Sequence, residues 1–155
     1  MDCARPMIWK RLLEVGPENV IAFVAEPVGG ATSGALVPAP GYLRRMREIC
    51  TQYGILLILD EVMCGMGRTG ALFACSQDDV TPDILAIAKG LGAGYQPIGA
   101  TLCSAEIYNT IRDGSGFFQH GHTYLGHPIA AAAALAVQKT IEDEDLLDNV
   151  TKRGA

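Results

Sequence analysis

The stretch PDILAIAKGLGAGYQPIG, residues 82–99, decides how this chain folds. Residues 84–88 form an apolar run that ends directly on Lys89 and a chain of glycines. A short continuous apolar run bounded by turn signals reads as a buried strand. Burying an ammonium is costly, so a lysine at such a strand end is either a solvated surface residue or one with a reaction to perform.

Outward from Lys89 the same pattern repeats. Residues 20–25, VIAFVA, and 55–59, ILLIL, are two more apolar runs without alternation, as expected of strands covered on both faces. Between them lie helical patterns. Residues 7–15 form one, stopped by Gly16 and Pro17, and PGYLRRMREICTQY, residues 40–53, forms another, with Pro40 in its first turn and Gly54 closing it. Residues 98–103 read as a fourth strand, too close behind the third for a crossover helix and so expected to run antiparallel. Helices follow over 105–112 and in HPIAAAAALAVQKTIED, 127–143. This order predicts an α/β fold, a mostly parallel sheet with helices on both faces.

The composition sets the class of protein. With 155 residues the chain suffices for one domain, and 49% hydrophobic and 19% charged residues describe a well-buried globular chain. A net charge of −5 argues against a nucleic-acid surface, and Arg44, Arg45 and Arg47 read as the wet face of a helix. The five cysteines have an odd count and no C-x-x-C spacing, which indicates neither a disulfide frame nor a zinc site and fits a reducing cytoplasm. The N-terminus lacks a signal-peptide pattern and no apolar run reaches membrane-spanning length, so neither secretion nor a membrane span is expected.

Each of the three parallel strands delivers an ionisable residue at its end: Glu26 after the first, Asp60 and Glu61 after the second, Lys89 after the third. Ligands of open α/β sheets bind outside the carboxyl ends of the strands, so two kinds of acid and a lysine converge where a site is expected. Two other patterns weigh less. GMGRTG, residues 65–70, matches the dinucleotide fingerprint with Asp83 as a candidate ribose partner, but it follows its strand too loosely and leaves no room for the required helix. The histidines of HGHTYLGHP lack a further ligand at a recognisable metal spacing and are explained as polar turn residues.

The segments AEPVGG, LLILDEVMCGMGRTG, DILAIAKGLGAGYQPIGA and HGHTYLGHPIAAAAALA, in this order and spacing, resemble the class III, ornithine aminotransferase-like, pyridoxal-phosphate enzymes. The resemblance implies that residues 1–155 are the central part of the cofactor-binding large domain of a fold type I homodimer, usually an aminotransferase acting on an amine or amino acid donor and a keto acid acceptor such as pyruvate. It implies an internal aldimine between Lys89 and the cofactor aldehyde, with Lys89, once released, shuttling the substrate proton. Asp60 is implied to pair with the pyridine nitrogen, Val62 to pack on the ring, Thr123 to bind the phosphate of the neighbouring subunit's cofactor, and Glu26 to serve as a supporting acid. The family's glycine- and serine-bearing phosphate cradle, ring-stacking aromatic residue and carboxylate-binding arginine have no match in this stretch. Met63 stands where several ω-amino acid enzymes of the family carry glutamine, which argues against ornithine-type specificity. The same scaffold also supports aminomutases and decarboxylases, and a chain of this length could be a non-catalytic remnant.

Overall fold

A computed structural model of the chain describes residues 5–154. In chain order it forms α1 (Arg5–Val15), β1 (Ala22–Ala25), α2 (Tyr42–Tyr53), β2 (Leu56–Asp60), β3 (Ile84–Ile87), β4 (Ala100–Cys103), α3 (Ala105–Asp113), α4 (Pro128–Asp143) and α5 (Leu146–Gly154). The strands lie side by side as β1-β2-β3-β4. The first three are parallel, Ala25 beside Leu59 and Asp60 beside Ala86, and β4 returns antiparallel with Ala100 beside Ile87. The fold is the expected mostly parallel α/β sheet packed with helices.

One face of the sheet carries the core. Leu57, Leu59, Leu85 and Ile87 point to it and meet Leu43, Cys50, Met66, Cys75 and Val80, all buried. Fully burying a leucine of this kind contributes about 1.5–3 kcal/mol. Leu43, Met46, Ile49 and Cys50 form the apolar stripe of α2, at the three- and four-residue spacing that a helix needs to lie flat on a sheet. On the opposite face Leu56, Ile58, Ile84 and Ala86 are only partly buried and Val24 is 61% exposed. The unbroken apolar runs therefore supply a second apolar face whose cover is incomplete among the described residues.

Three local readings change. Pro40 lies ahead of α2: Gly41, at φ +79°, is its N-cap, so Pro40-Gly41 is the turn into the helix instead of its first turn. Arg47 is not on a wet face, since its Nη1 donates to Asp83 Oδ2 at 2.7 Å, with both side chains mostly covered. A second helix, α5, follows α4 after a break at Asp145, φ +52°, which ends the alanine-rich helix and starts a new apolar stripe at Leu146, Leu147 and Val150.

Asp83 ties this architecture together. The same Oδ2 accepts from the Leu57 amide at 2.6 Å, the Asp83 amide donates to the Leu57 carbonyl at 2.9 Å, and its carbonyl accepts from Ser104 at 2.9 Å. One residue at the amino end of β3 thus joins α2, β2 and the end of β4. Asp83→Ala leaves a guanidinium and an amide without their acceptor and is expected to lower the unfolding free energy by about 1–3 kcal/mol, read from urea or thermal unfolding. Glu14→Ala, which breaks only an exposed 3.2 Å pair with Arg11 inside α1, serves as the control. It is expected to change stability by less than about 1 kcal/mol.

Candidate active site at the carboxyl edge of the sheet

The parallel register carries Glu26, Asp60 and Lys89 to one edge. Asp60 is the last residue of β2, half-buried, and its Oδ1 accepts from the Val62 amide at 2.9 Å. That bond orients the carboxylate and leaves Oδ2 without a partner among the described residues. Val62, half-buried, follows two residues after Asp60. Lys89 comes three positions beyond Ala86, the residue beside Asp60 on the neighbouring strand, which in a parallel sheet lies about 4.8 Å away. Lys89 opens the 3-10 turn Lys89–Leu91 with φ +42°, and its side chain is exposed. It faces a groove of about 1120 Å³ bounded by Met66, Arg68, Tyr95 and the α4 residues Ala133 and Val137.

Glu26 follows β1, and its Oε2 accepts from the Gly30 amide at 3.1 Å. A side chain at Gly30 would collide with Glu26 Oε1 at 2.7 Å and Met63 Cγ at 2.9 Å, so Glu26 and Met63 converge on this one glycine. Glu61 has a different role from the other strand-end acids. It is fully buried, and its two oxygens accept from the Ala74 and Cys75 amides at 2.8 Å each, capping the 3-10 helix Ala74–Asp78. Its carboxylate is consumed by the fold and does not face the edge groove.

Thr123 lies in an exposed turn ahead of α4 and does not border the Lys89 groove. His127 accepts from the Ala130 amide at 3.4 Å as the N-cap of α4, in keeping with a polar turn residue. Among the described residues no cluster of metal-ligating side chains occurs. The glycines of GMGRTG serve packing. Side chains at Gly67 and Gly70 would meet Leu147 Cδ2 at 3.0 Å and Thr151 Oγ1 at 2.6 Å, so the loop lies closely against α5. Asp83, the candidate ribose partner, is engaged at the opposite edge by Arg47 and Leu57. Reading the sequence alone missed Met66 and Gly90, which flank the lysine loop; the only signal was a glycine directly after Lys89 and a methionine set between two glycines.

Residues 3–155 match the class III aminotransferase family, and the chain belongs to it. It is 51% identical over 146 residues to an aminotransferase of Gibberella zeae, covering 94% of this chain and 28% of that protein. It is 46% identical over 147 residues to putrescine–pyruvate aminotransferase of Pseudomonas aeruginosa, covering 95% of this chain and 32% of that one. The crystal structure of an amine transaminase from an uncultivated Pseudomonas species, in its PLP-bound internal aldimine form, superimposes with a TM-score of 0.91 at 46% identity, covering 95% of this chain and 34% of that one. The chain thus spans about a third of the length of the relatives it matches. Enzymes of this class depend on pyridoxal phosphate. Among the described residues the fit to that group is partial: an exposed amine at one strand end and an oriented carboxylate with a spare oxygen at the next are present, while Thr123, the residue the resemblance implied for the phosphate, lies apart from the Lys89 groove.

Burial sorts the thiols. It pushes Cys50 and Cys64 up and, with the Glu61 carboxylate beside it, Cys75 up to about 12. Cys103, on the edge strand β4, is exposed. At pH 8 a maleimide is therefore expected to label Cys103 quickly and to spare Cys50, Cys64 and Cys75, as peptide mapping would show. Because Cys75 ionises at a higher pH folded than unfolded, its contribution to stability is complete below its ordinary value of 9.0 and is lost as pH rises from there toward about 12.

Proposed function

We propose that the protein of which this chain forms the central, cofactor-binding part transfers an amino group from an amine or amino acid to a keto acid such as pyruvate, with pyridoxal phosphate bonded to Lys89. The observation that carries this reading is the arrival of Asp60 and Lys89 at one sheet edge on adjacent parallel strands, with Asp60 already oriented and Lys89 exposed to a groove. The acceptor class is supported by the pyruvate-dependent relative of Pseudomonas aeruginosa. When bound, the cofactor supplies an electron sink for the substrate carbanion.

Each residue has a separate task. Asp60 offers its spare oxygen to the pyridine nitrogen; a carboxylate about 4 Å from such a cation contributes on the order of 4 kcal/mol at an effective dielectric of 20, enough for about three pK units. Lys89 holds the cofactor and, when its amine is free, carries the substrate proton. Val62, placed by the turn that orients Asp60, packs on the ring. Thr123 donates to the phosphate in a neighbouring subunit of a homodimer. The exposed Phe117, Phe118, Tyr124, Leu125 and Ile129 around it form an apolar surface suited to such a partner. Glu26, fixed by the Gly30 amide, supports the site as an acid. The unpaired buried thiols agree with a reducing, cytoplasmic setting.

Reduction of the full-length enzyme with borohydride followed by peptide mapping is expected to place the pyridoxyl group on Lys89; a label on Lys10 or Lys139 would refute the assignment. Asp60→Asn keeps the shape but removes the charge, and turnover is expected to fall roughly a hundredfold or more. Residues 1–155 expressed alone are expected to be poorly soluble, because Val24 is exposed and Ile58 and its neighbours are only partly covered, and inert in amino transfer to pyruvate. Activity above a mock purification that disappears in Lys89→Ala would show instead that this segment suffices.

A further inference from the structure

Half of the non-glycine residues with positive φ among the described residues border a single groove: Met66 at +58°, Lys89 at +42° and Ala93 at +47°. Residues with a side chain hold such conformations only where their surroundings over-determine them. At Lys89 the surroundings are identifiable. Gly90, the next residue, passes so close to Met66 that a side chain on it would stand 2.9 Å from Met66 Cβ, an atom fixed to the backbone. On the other side of the turn Gly92 is pressed against Gln96 O at 2.7 Å and Ile98 Cγ2 at 2.8 Å, measured in the same way. The lysine turn is wedged between them.

Met66 is itself anchored. It is 8% exposed, and its amide donates to the Leu72 carbonyl at 2.7 Å. Its neighbour Gly65 packs against the backbone and side chain of Glu61, the buried residue directly after Asp60. A continuous line of close contacts therefore runs from the Asp60 end of β2 through Glu61, Gly65 and Met66 to Gly90 and Lys89. Rotation of the backbone at Lys89 would swing its Cβ and the amine at the end of the side chain. We propose that the Met66–Gly90 contact is a positioning device for the reaction: it holds the Lys89 backbone at its positive φ and so sets where the lysine amine stands relative to Asp60. This rests on Lys89 being the cofactor-bonding lysine.

The test uses the full-length enzyme loaded with pyridoxal phosphate. Borohydride mapping of the unaltered enzyme comes first, and a label away from Lys89 would end the functional reading and this one with it. With Lys89 labelled, Gly90→Ala is expected to lower kcat by about tenfold or more, since small misplacements of reacting groups are costly, with KM changing less than about threefold. It is also expected to shift the pH midpoint of the bound cofactor's visible absorbance. The pair Met66→Gly with Gly90→Ala moves the Cβ from one side of the contact to the other, in a position whose φ suits glycine. It is expected to regain most of the lost kcat and the original midpoint although, lacking a buried methionine side chain, it melts at a lower temperature. A purely structural contact would make activity follow stability instead. Should Gly90→Ala not fold, Met66→Gly is expected to shift the midpoint and lower kcat, and Met66→Leu, which keeps the Cβ, to change both less than Met66→Gly does. An unaltered midpoint and kcat in Gly90→Ala or, where that variant does not fold, in Met66→Gly would overturn the proposal, and so would a double variant no better than the single one.

Discussion

The parallel backbone ladder between β2 and β3 is the constraint on which the rest depends. It sets Asp60 beside Ala86, so that the chain leaving each strand does so at the same edge and Lys89 follows three residues beyond the partner of Asp60. Neither side chain supplies energy for this arrangement. The ladder is held by Leu57, Leu59, Leu85 and Ile87 packed against α2, and at its far end by Asp83. Stability is concentrated on the core face and at the amino edge, which leaves Asp60 and Lys89 at the carboxyl edge outside the core packing.

The acids at that edge show how environment divides residues of one type. Asp60 keeps an oxygen unengaged because a single amide, that of Val62, orients it. Glu61, one residue later, points into the core face and gives both oxygens to amides. A buried carboxylate is tolerable only when its acceptors are matched by donors, and two 2.8 Å amide bonds meet that requirement. Alternation along a strand thus sends adjacent acids to opposite duties, one available for chemistry and one holding the loop that carries Met66.

The glycines between Gly65 and Gly92 extend this division of labour. Those of residues 65–70 match the dinucleotide fingerprint in spacing, yet there and at Gly90 the missing side chain makes room for a protein neighbour: Glu61 at Gly65, Leu147 at Gly67, Thr151 at Gly70, Met66 at Gly90. The edge loops are thereby compressed against each other and against α5. The second face of the sheet remains open, with Val24 exposed beside Ile58, and the relatives are about three times as long as this chain.

Strand identity, the parallel order, the antiparallel return of β4 and membership in the class III aminotransferases were all legible in the chain, because unbroken apolar runs, turn glycines and family segments are local signals. The edge positions of Glu26, Asp60 and Lys89 followed from topology alone. Local signals did not reveal α5, because the turn at Asp145 depends on one positive φ that sequence does not mark. They did not show Glu61 buried on the Ala74 and Cys75 amides or Arg47 turned inward to Asp83, since burial and partner are properties of segments far apart in the chain. Whether Gly90 lies against Met66 is likewise decided only when the loops after β2 and β3 are brought together, for steric contact between them exists nowhere but in the packed molecule.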